Sequence, residues 1–220
     1  MILKRSIFLF TVFLLILVLK SVFSFSNQKI GKVKFVYDGD TILLDSGEKV
    51  RYLGINAPEL DHEGKRHQFM ALEAMRFNIR MVKGKLVRLE FDREKRDRYG
   101  RLLAYVYLVE SGQMINALLL KKGLAHVLLK EPNLKYRRLF IELQREAMRK
   151  RIGIWSKPFK NDERYYIGNR RSFIFHRPDC PFGRHTNPRN RVIFKNCYQA
   201  FWAGYSPCRR CKPATYIDEK

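Results

Sequence analysis

Acidic residues are scarce in this chain. Its 220 residues carry 44 lysines and arginines against 21 aspartates and glutamates, a formal net charge of +23. That excess is beyond what solubility requires, and it points to a polyanionic partner, nucleic acid before an acidic membrane surface. Cysteine is nearly as scarce. There are four, all beyond residue 179, so a disulfide framework across the whole chain is excluded and thiol or thiolate-metal chemistry is confined to its end. No internal repeat or low-complexity tract occurs. A long apolar run is also missing. The longest uncharged stretch, residues 6–19, falls short of the ~20 residues of a membrane-spanning helix.

That stretch has another reading. Lys4 and Arg5 precede it, Lys20 ends it, and small residues follow at Ser24 and Ser26, which is the layout of a secretory signal. Export is expected, to a secreted or periplasmic location or to the outer face of the cytoplasmic membrane. No A-x-A cleavage site is present. Residues 1–26 can therefore be a cleaved signal peptide or, with Lys20 reaching the headgroups, an anchor that tethers the protein through residues 6–25. Only three of the positive charges lie in this segment, so the basic character belongs to the folded part.

With 46% hydrophobic residues, the rest can build a globular core. Residues 30–37 alternate, with Val33, Phe35 and Tyr37 on one side, as a strand does. Strands are predicted at 41–45, 49–55, 85–92 and 102–108. Helical spacing is predicted over 65–82, with Phe69, Leu72, Met75, Ile79 and Val82 on one stripe, over 114–122, and over 133–151, with Tyr136, Leu139, Phe140, Leu143 and Ala147 inward. Five strands with a helix after the third and more after the fifth fit a small OB-type barrel of the α+β class with about three helices. The predicted organisation is an export segment (1–26), a barrel domain (27–155), a polar linker (156–163), a small C-terminal domain (164–213) and a tail (214–220).

Residues 38–59, DGDTILLDSGEKVRYLGINAPE, hold the most chemistry. Asp38, Asp40 and Glu59 lie in turns at either end of a predicted hairpin, and Arg51 lies on its second strand. Carboxylate oxygens suit Ca²⁺ or Mg²⁺, and a guanidinium fork suits a phosphate. Solvated charges on ordinary DG and SG turns are the plainer reading. Arg101 joins the set from Tyr99-Gly100-Arg101, where the glycine suggests a bulge; alone, an arginine in a charged turn is a solvated group.

The motifs DGDT (38–41), VRYLGINAPE (50–59), DRYGRLLAYVY (97–107), INALLLKKGLAHV (115–127) and GIW (153–155), with the predicted helix from 65, resemble the staphylococcal nuclease, or thermonuclease, family. The resemblance implies an OB-type barrel and Ca²⁺-dependent hydrolysis of phosphodiester bonds in DNA or RNA. It implies Asp40 as a calcium-binding carboxylate, Asp38 as an acid behind it, and the backbone carbonyl of Ala57 as a further ligand. Arg51 and Arg101 become the arginines that hold the phosphate and stabilise the transition state, Glu59 the general base, and Tyr99 an aromatic at the substrate. Asn56 stands where the family has Asp; it keeps a carbonyl oxygen for calcium and removes one negative charge. The family tyrosines after the GLA motif are missing from residues 125–132. The class-level alternative is a nuclease-like barrel that grips nucleic acid without cutting it.

In the C-terminal segment His176 and Cys180 form H-x3-C, and Cys208 and Cys211 form C-x2-C. Four such ligands in two tight pairs suit a closed tetrahedral zinc site. A pair of disulfides or a redox C-x2-C are the alternatives. The run FHRPDC…NRVIF…AFWAGYSPCRRCKP resembles the Ada-type metal-binding domain. The methyl-accepting members have Cys where this chain has His176, so methyl-transfer repair is not implied. The resemblance implies a structural Zn²⁺. The module's arginines, Arg209 and Arg210 among them, suit a second grip on nucleic acid, and a domain that only stabilises the protein or meets a partner is the plainer alternative. No protein partner is implied.

Overall fold

The computed structural model describes residues 28–61, 67–160 and 162–216; the predicted export segment, residues 1–26, lies outside them. Strands β1 (Gln28–Val36), β2 (Thr41–Leu44), β3 (Lys49–Tyr52), β5 (Leu86–Glu90) and β6 (Leu102–Leu108) form a closed barrel in the order β1-β2-β3-β6-β5. All neighbours are antiparallel except β3 and β6, which run parallel with Arg51 beside Leu103. The two-residue strand β4 (Ile55–Asn56) leaves the barrel and pairs with β7 (His126–Val127). The third strand thus ends earlier than its apolar run suggests, because the chain turns at Leu53 and Gly54.

The alternation expected for β1 is broken by a register shift between Val33 and Phe35. Val33 and Val36 point inward, and Phe35 is 48% exposed. An extra residue in one strand moves every later side chain to the other face.

Three helices pack on the barrel: α1 (Ala71–Val82), α2 (Ile115–Lys121) and α3 (Arg137–Arg149). Helix α1 begins at Ala71 rather than 65; residues 62–66 lie outside the described set. Its buried positions are Ala71, Ala74, Asn78 and Val82, with Met75 and Ile79 at the margin. The apolar stripe read from the sequence is therefore rotated, because a small-residue face meets the barrel. Helix α3 buries Phe140, Gln144, Ala147 and Met148 and leaves Leu139 exposed. In both helices the polar residues on the inner face are hydrogen-bonded amides, which an apolar count overlooks.

The second unit is a four-stranded sheet in the order β10-β8-β9-β11, built from β8 (Tyr166–Asn169), β9 (Ile174–His176), β10 (Arg191–Phe194) and β11 (Ser206–Pro207). It carries the short helices α4 (Pro181–Arg184) and α5 (Cys197–Trp202). No helix among the described residues is long and apolar enough to cross a membrane.

One apolar core runs through both units. Phe201 is its hub, with ring centroids 5.1 Å from Trp155 and 5.3 Å from both Phe159 and Phe175. Gln144 bolts the units together: its Oε1 accepts from Val127 N (2.7 Å) and its Nε2 donates to Phe201 O (2.5 Å). Ser206 Oγ donates to Val127 O at 2.6 Å, and Arg145 Nε to Trp202 O at 2.9 Å.

The approach to this junction is tight at one backbone crossing. Gly153 has φ 60°, and a Cβ there would lie 2.1 Å from Gly123 O. Gly153→Ala incurs both left-handed strain and a backbone clash, at a cost on the order of 2–4 kcal/mol. The expected fall in Tm is about 4–16 °C, at ~2–4 °C per kcal/mol. Thermal unfolding measures it, and an unchanged Tm contradicts the crossing.

Candidate active site and metal centre

Four residues close a ring of polar contacts where β2 and β3 meet β4. Arg51 Nη2 lies 3.1 Å from Asp40 Oδ2 and donates to Asn56 Oδ1 at 2.9 Å. Asn56 Nδ2 donates to Ala57 O at 3.1 Å, and Ala57 N donates back to Asp40 Oδ2 at 2.6 Å. Arg51 Nη1 is held by the carbonyls of Tyr52 (2.7 Å) and Ile55 (2.9 Å). The free oxygen of Asp40 accepts from Thr41 Oγ1. Asp40 and Arg51 are both buried. These contacts supply the hydrogen bonds that a desolvated charge pair requires.

The sequence builds this ring through a close approach. Gly39 lies so near that a Cβ would be 2.5 Å from Ala57 Cβ and 2.8 Å from Ala74 Cβ. A glycine between the two aspartates is what lets the turn seat against α1. Asn78 then pins it from below: Nδ2 donates to Asp38 O at 3.0 Å, and Oδ1 accepts from Tyr52 Oη at 2.9 Å. Asp38 Oδ1 accepts from Asp40 N at 2.8 Å. Burial first, and the Asp40 charge second, push the Asp38 carboxyl up to about 7. The donors at this point are carboxylate, amide and backbone oxygens, a hard set that fits a cation such as Ca²⁺ or Mg²⁺ rather than a thiophilic metal.

Glu59 stands at the mouth of the site. Its backbone is clamped by Gln68, whose side chain accepts from Glu59 N (2.9 Å) and whose amide donates to Glu59 O (3.2 Å). Its carboxylate meets Arg209 of the second unit, 3.4 Å from Nη2, and the same nitrogen lies 3.3 Å from Asn56 Oδ1. Arg101 is not part of the ring. Its Nε donates to Asp97 Oδ2 at 2.8 Å, and Asp97 Oδ1 accepts from the amides of Tyr99 and Arg101. Partial burial raises the Asp97 carboxyl, but the bonds from Arg101 outweigh it and hold it below the usual range. Gly100, φ 79°, closes this Asp97–Arg101 turn in the left-handed conformation of a G1 bulge, as its place before Arg101 suggests. Since Arg51 is beside Leu103, the period-two alternation puts Arg101 on Arg51's side of the sheet. Tyr99 is 68% exposed, with the guanidiniums of Arg98 and Arg101 near its ring at 4.8 and 5.5 Å.

In the second unit the ligand atoms of His176, Cys180, Cys208 and Cys211 all lie within 4.8 Å of one another. Parallel pairing of β9 with β11 does this locally, since Cys208 N donates to Phe175 O and so sits beside His176. Arg177 N points at Cys211 Sγ, 3.4 Å away. Burial, with the neighbouring Cys180 and Cys208 thiols, pushes Cys211 up to about 12. One imidazole and three sulfur atoms gathered this closely are a donor set suited to a closed tetrahedral zinc site. None of the four cysteines is in a disulfide. Cys197 is outside the cluster, fully buried in the core, and burial raises its thiol to about 11.

Sequence reasoning missed Asn78, Gln68 and Arg209 as participants. Asn78 left a trace, a polar residue in step with the small buried residues of α1. Arg209 left none, because its contact with Glu59 spans 150 positions.

With this geometry, two family models match the chain. Residues 49–157 match the staphylococcal nuclease homologues, and residues 154–214 match the metal-binding domain of Ada. The thermonuclease of Staphylococcus intermedius is 41% identical over 128 residues, 57% of this chain and 75% of that protein. The thermonuclease of Staphylococcus hyicus is 38% identical over 134 residues, 60% and 78% of the respective chains. Endonuclease YncB of Bacillus subtilis (strain 168) is 42% identical over 125 residues, 54% and 58%. The chain belongs to the staphylococcal nuclease family, with an Ada-type metal-binding domain following the barrel.

Proposed function

We propose that this protein is an exported, calcium-dependent nuclease that hydrolyses phosphodiester bonds of DNA or RNA, with a zinc-stapled second unit that helps grip the substrate. The observation that carries the reading is the Asp40–Arg51–Asn56–Ala57 ring, buried except at Asn56, with Glu59 at its mouth. Asp40, the Asn56 amide oxygen and the Ala57 carbonyl would hold Ca²⁺, with Asp38 behind them. The cation would supply charge stabilisation for the phosphoryl oxygens. Arg51 Nη2, now shared between Asp40 and Asn56, is the group that turns to a phosphate once those oxygens are engaged. Arg101, oriented by Asp97, is the second guanidinium for the developing charge. Glu59 takes the proton of the attacking water, and Tyr99 is the exposed ring for a base or sugar.

Cleavage is expected with added Ca²⁺ and none in chelator. Glu59→Gln and Arg101→Ala should each lower the rate by ~10²–10³-fold, the scale for one lost electrostatic stabiliser. Arg51→Ala is a poorer test, since it strands a buried carboxylate at a cost of ~3–5 kcal/mol. The rival reading, a barrel that binds without cutting, draws on the amide at Asn56; absence of cleavage with any divalent cation would leave that reading alone.

Calcium affinity follows the charge of the ligand set. Asn56→Asp should therefore lower the Ca²⁺ concentration giving half-maximal rate. An unchanged or higher value would take Asn56 out of the metal site.

For location, cell fractionation should find the folded units outside the cytoplasmic membrane, free or tethered, as the residue 1–26 pattern implies. Intact chain recovered in the cytosol would refute export.

For zinc, elemental analysis should find one ion per chain, lost more easily in His176→Ala and retained in Cys197→Ser. In a unit this small the metal's binding free energy is largely folding free energy, so residues 164–213 should lose structure on its removal. Purified protein with no zinc and a stable second unit would overturn the assignment.

A further inference from the structure

Arg209 lies between Cys208 and Cys211, so its backbone is fixed by two of the four clustered ligands. Its side chain nevertheless ends in the other unit, at Glu59 and Asn56. The contact is not a structural bolt. The Arg209 and Glu59 side chains are 79% and 56% exposed, and an ion pair between groups so exposed adds little stability. The units are joined instead by the Phe201 aromatic cluster and the Gln144 and Ser206 hydrogen bonds. A guanidinium that is rigidly based, solvent-facing and aimed at the proposed general base is placed to receive a phosphate.

Below it an open cleft of about 1090 Å³ runs between the two units. Lys157, Lys160 and Lys212 line it with Phe69 and Tyr216, whose rings meet edge to face at 5.2 Å. Three lysines along an open cleft suit a single strand whose phosphates lie on the cations, while the half-buried Phe69 and Tyr216, the latter stacked on Phe159, form its apolar wall.

We propose that Arg209 is a substrate-phosphate residue of the nuclease site, supplied in cis by the metal-binding unit, and that the strand leaving the site lies in this cleft. The proposal rests on the nuclease reading and makes the site a property of both units. Without substrate, Arg209 rests on Glu59 and Asn56; with substrate, it exchanges the carboxylate for a phosphate oxygen and leaves Glu59 free for water. This arrangement also gives the Asn56 amide a role, since a carboxylate there would compete more strongly for Arg209.

The test uses the full chain, Arg209→Ala and Arg209→Lys. Each is checked for its far-UV circular dichroism and zinc content. Binding of a labelled single-stranded DNA oligonucleotide is measured without added calcium over a series of NaCl concentrations, with steady-state cleavage in Ca²⁺ in parallel. Arg209→Ala should weaken binding and kcat/KM about 10- to 100-fold, the scale of one hydrogen-bonded charge, mainly through KM. The plot of log affinity against log salt should become shallower by about 0.7, one phosphate contact on a single strand. Arg209→Lys should restore the slope and part of the affinity. Parent-like affinity and slope in Arg209→Ala would overturn the proposal. So would a loss of cleavage with the slope unchanged, which would make Arg209 only a positioner of Glu59. A parent protein that shows the Arg209-dependent slope but cuts nothing would keep the phosphate contact and sink the nuclease reading.

Discussion

The buried pair of Asp40 and Arg51 sets the terms for the first unit. Two charges withdrawn from water are costly unless their remaining hydrogen-bonding capacity is used, and here it is used by the backbone. Arg51 takes the carbonyls of Tyr52 and Ile55, and Asp40 takes the amide of Ala57. To deliver those groups the chain must stop being a barrel strand after Tyr52, turn, and pair Ile55–Asn56 with β7. The glycine of DGD and the alanines at 57 and 74 follow from the same demand, since nothing larger fits between the turn and α1. Asn78 follows too, as the partner of the Asp38 carbonyl. Such a pair is weak evidence of stabilisation for its own sake, and its worth lies in holding an anionic carboxylate ready beneath an open mouth.

The second unit is more than an appendage. Its core is continuous with that of the barrel, and Phe201 makes the join. His176, Cys180, Cys208 and Cys211 gather around the segment from which Arg209 reaches the mouth of the first site. The chain has a large positive surplus, yet its site concentrates Asp38, Asp40 and Glu59, and Asp38 carries a raised pKa because burial and Asp40 both oppose its ionisation. A site of this kind calls for positive charge, and the proposed cation, Arg51, Arg101 and Arg209 supply it from different elements.

Much of the barrel was legible in the sequence. Strand alternation and turn signals located the five barrel strands and three helices to within a few residues, and the His176, Cys180, Cys208 and Cys211 spacing identified the ligand cluster. What was not legible has physical causes. The register shift in β1 inverted the inward set after Val33, exposing Phe35. The face of α1 was rotated, and in α3 Leu139 was taken for an inward residue in place of Gln144, because the inner positions include small or amide residues, Ala74, Asn78 and Gln144, whose burial depends on partners elsewhere in the chain. The Glu59–Arg209 contact lies wholly in tertiary structure, and no local pattern encodes it.

The proposed calcium site is the set of oxygen donors around Asp40, poised by Arg51. Isothermal titration of Ca²⁺ into zinc-loaded protein tests it most directly, with Asp40→Asn as the comparison because it preserves shape and removes the charge. The parent should bind one Ca²⁺ per chain, and Asp40→Asn, still folded and still holding zinc, should bind none over the same range. Equal calcium binding by the two proteins, or none by the parent, would contradict the account.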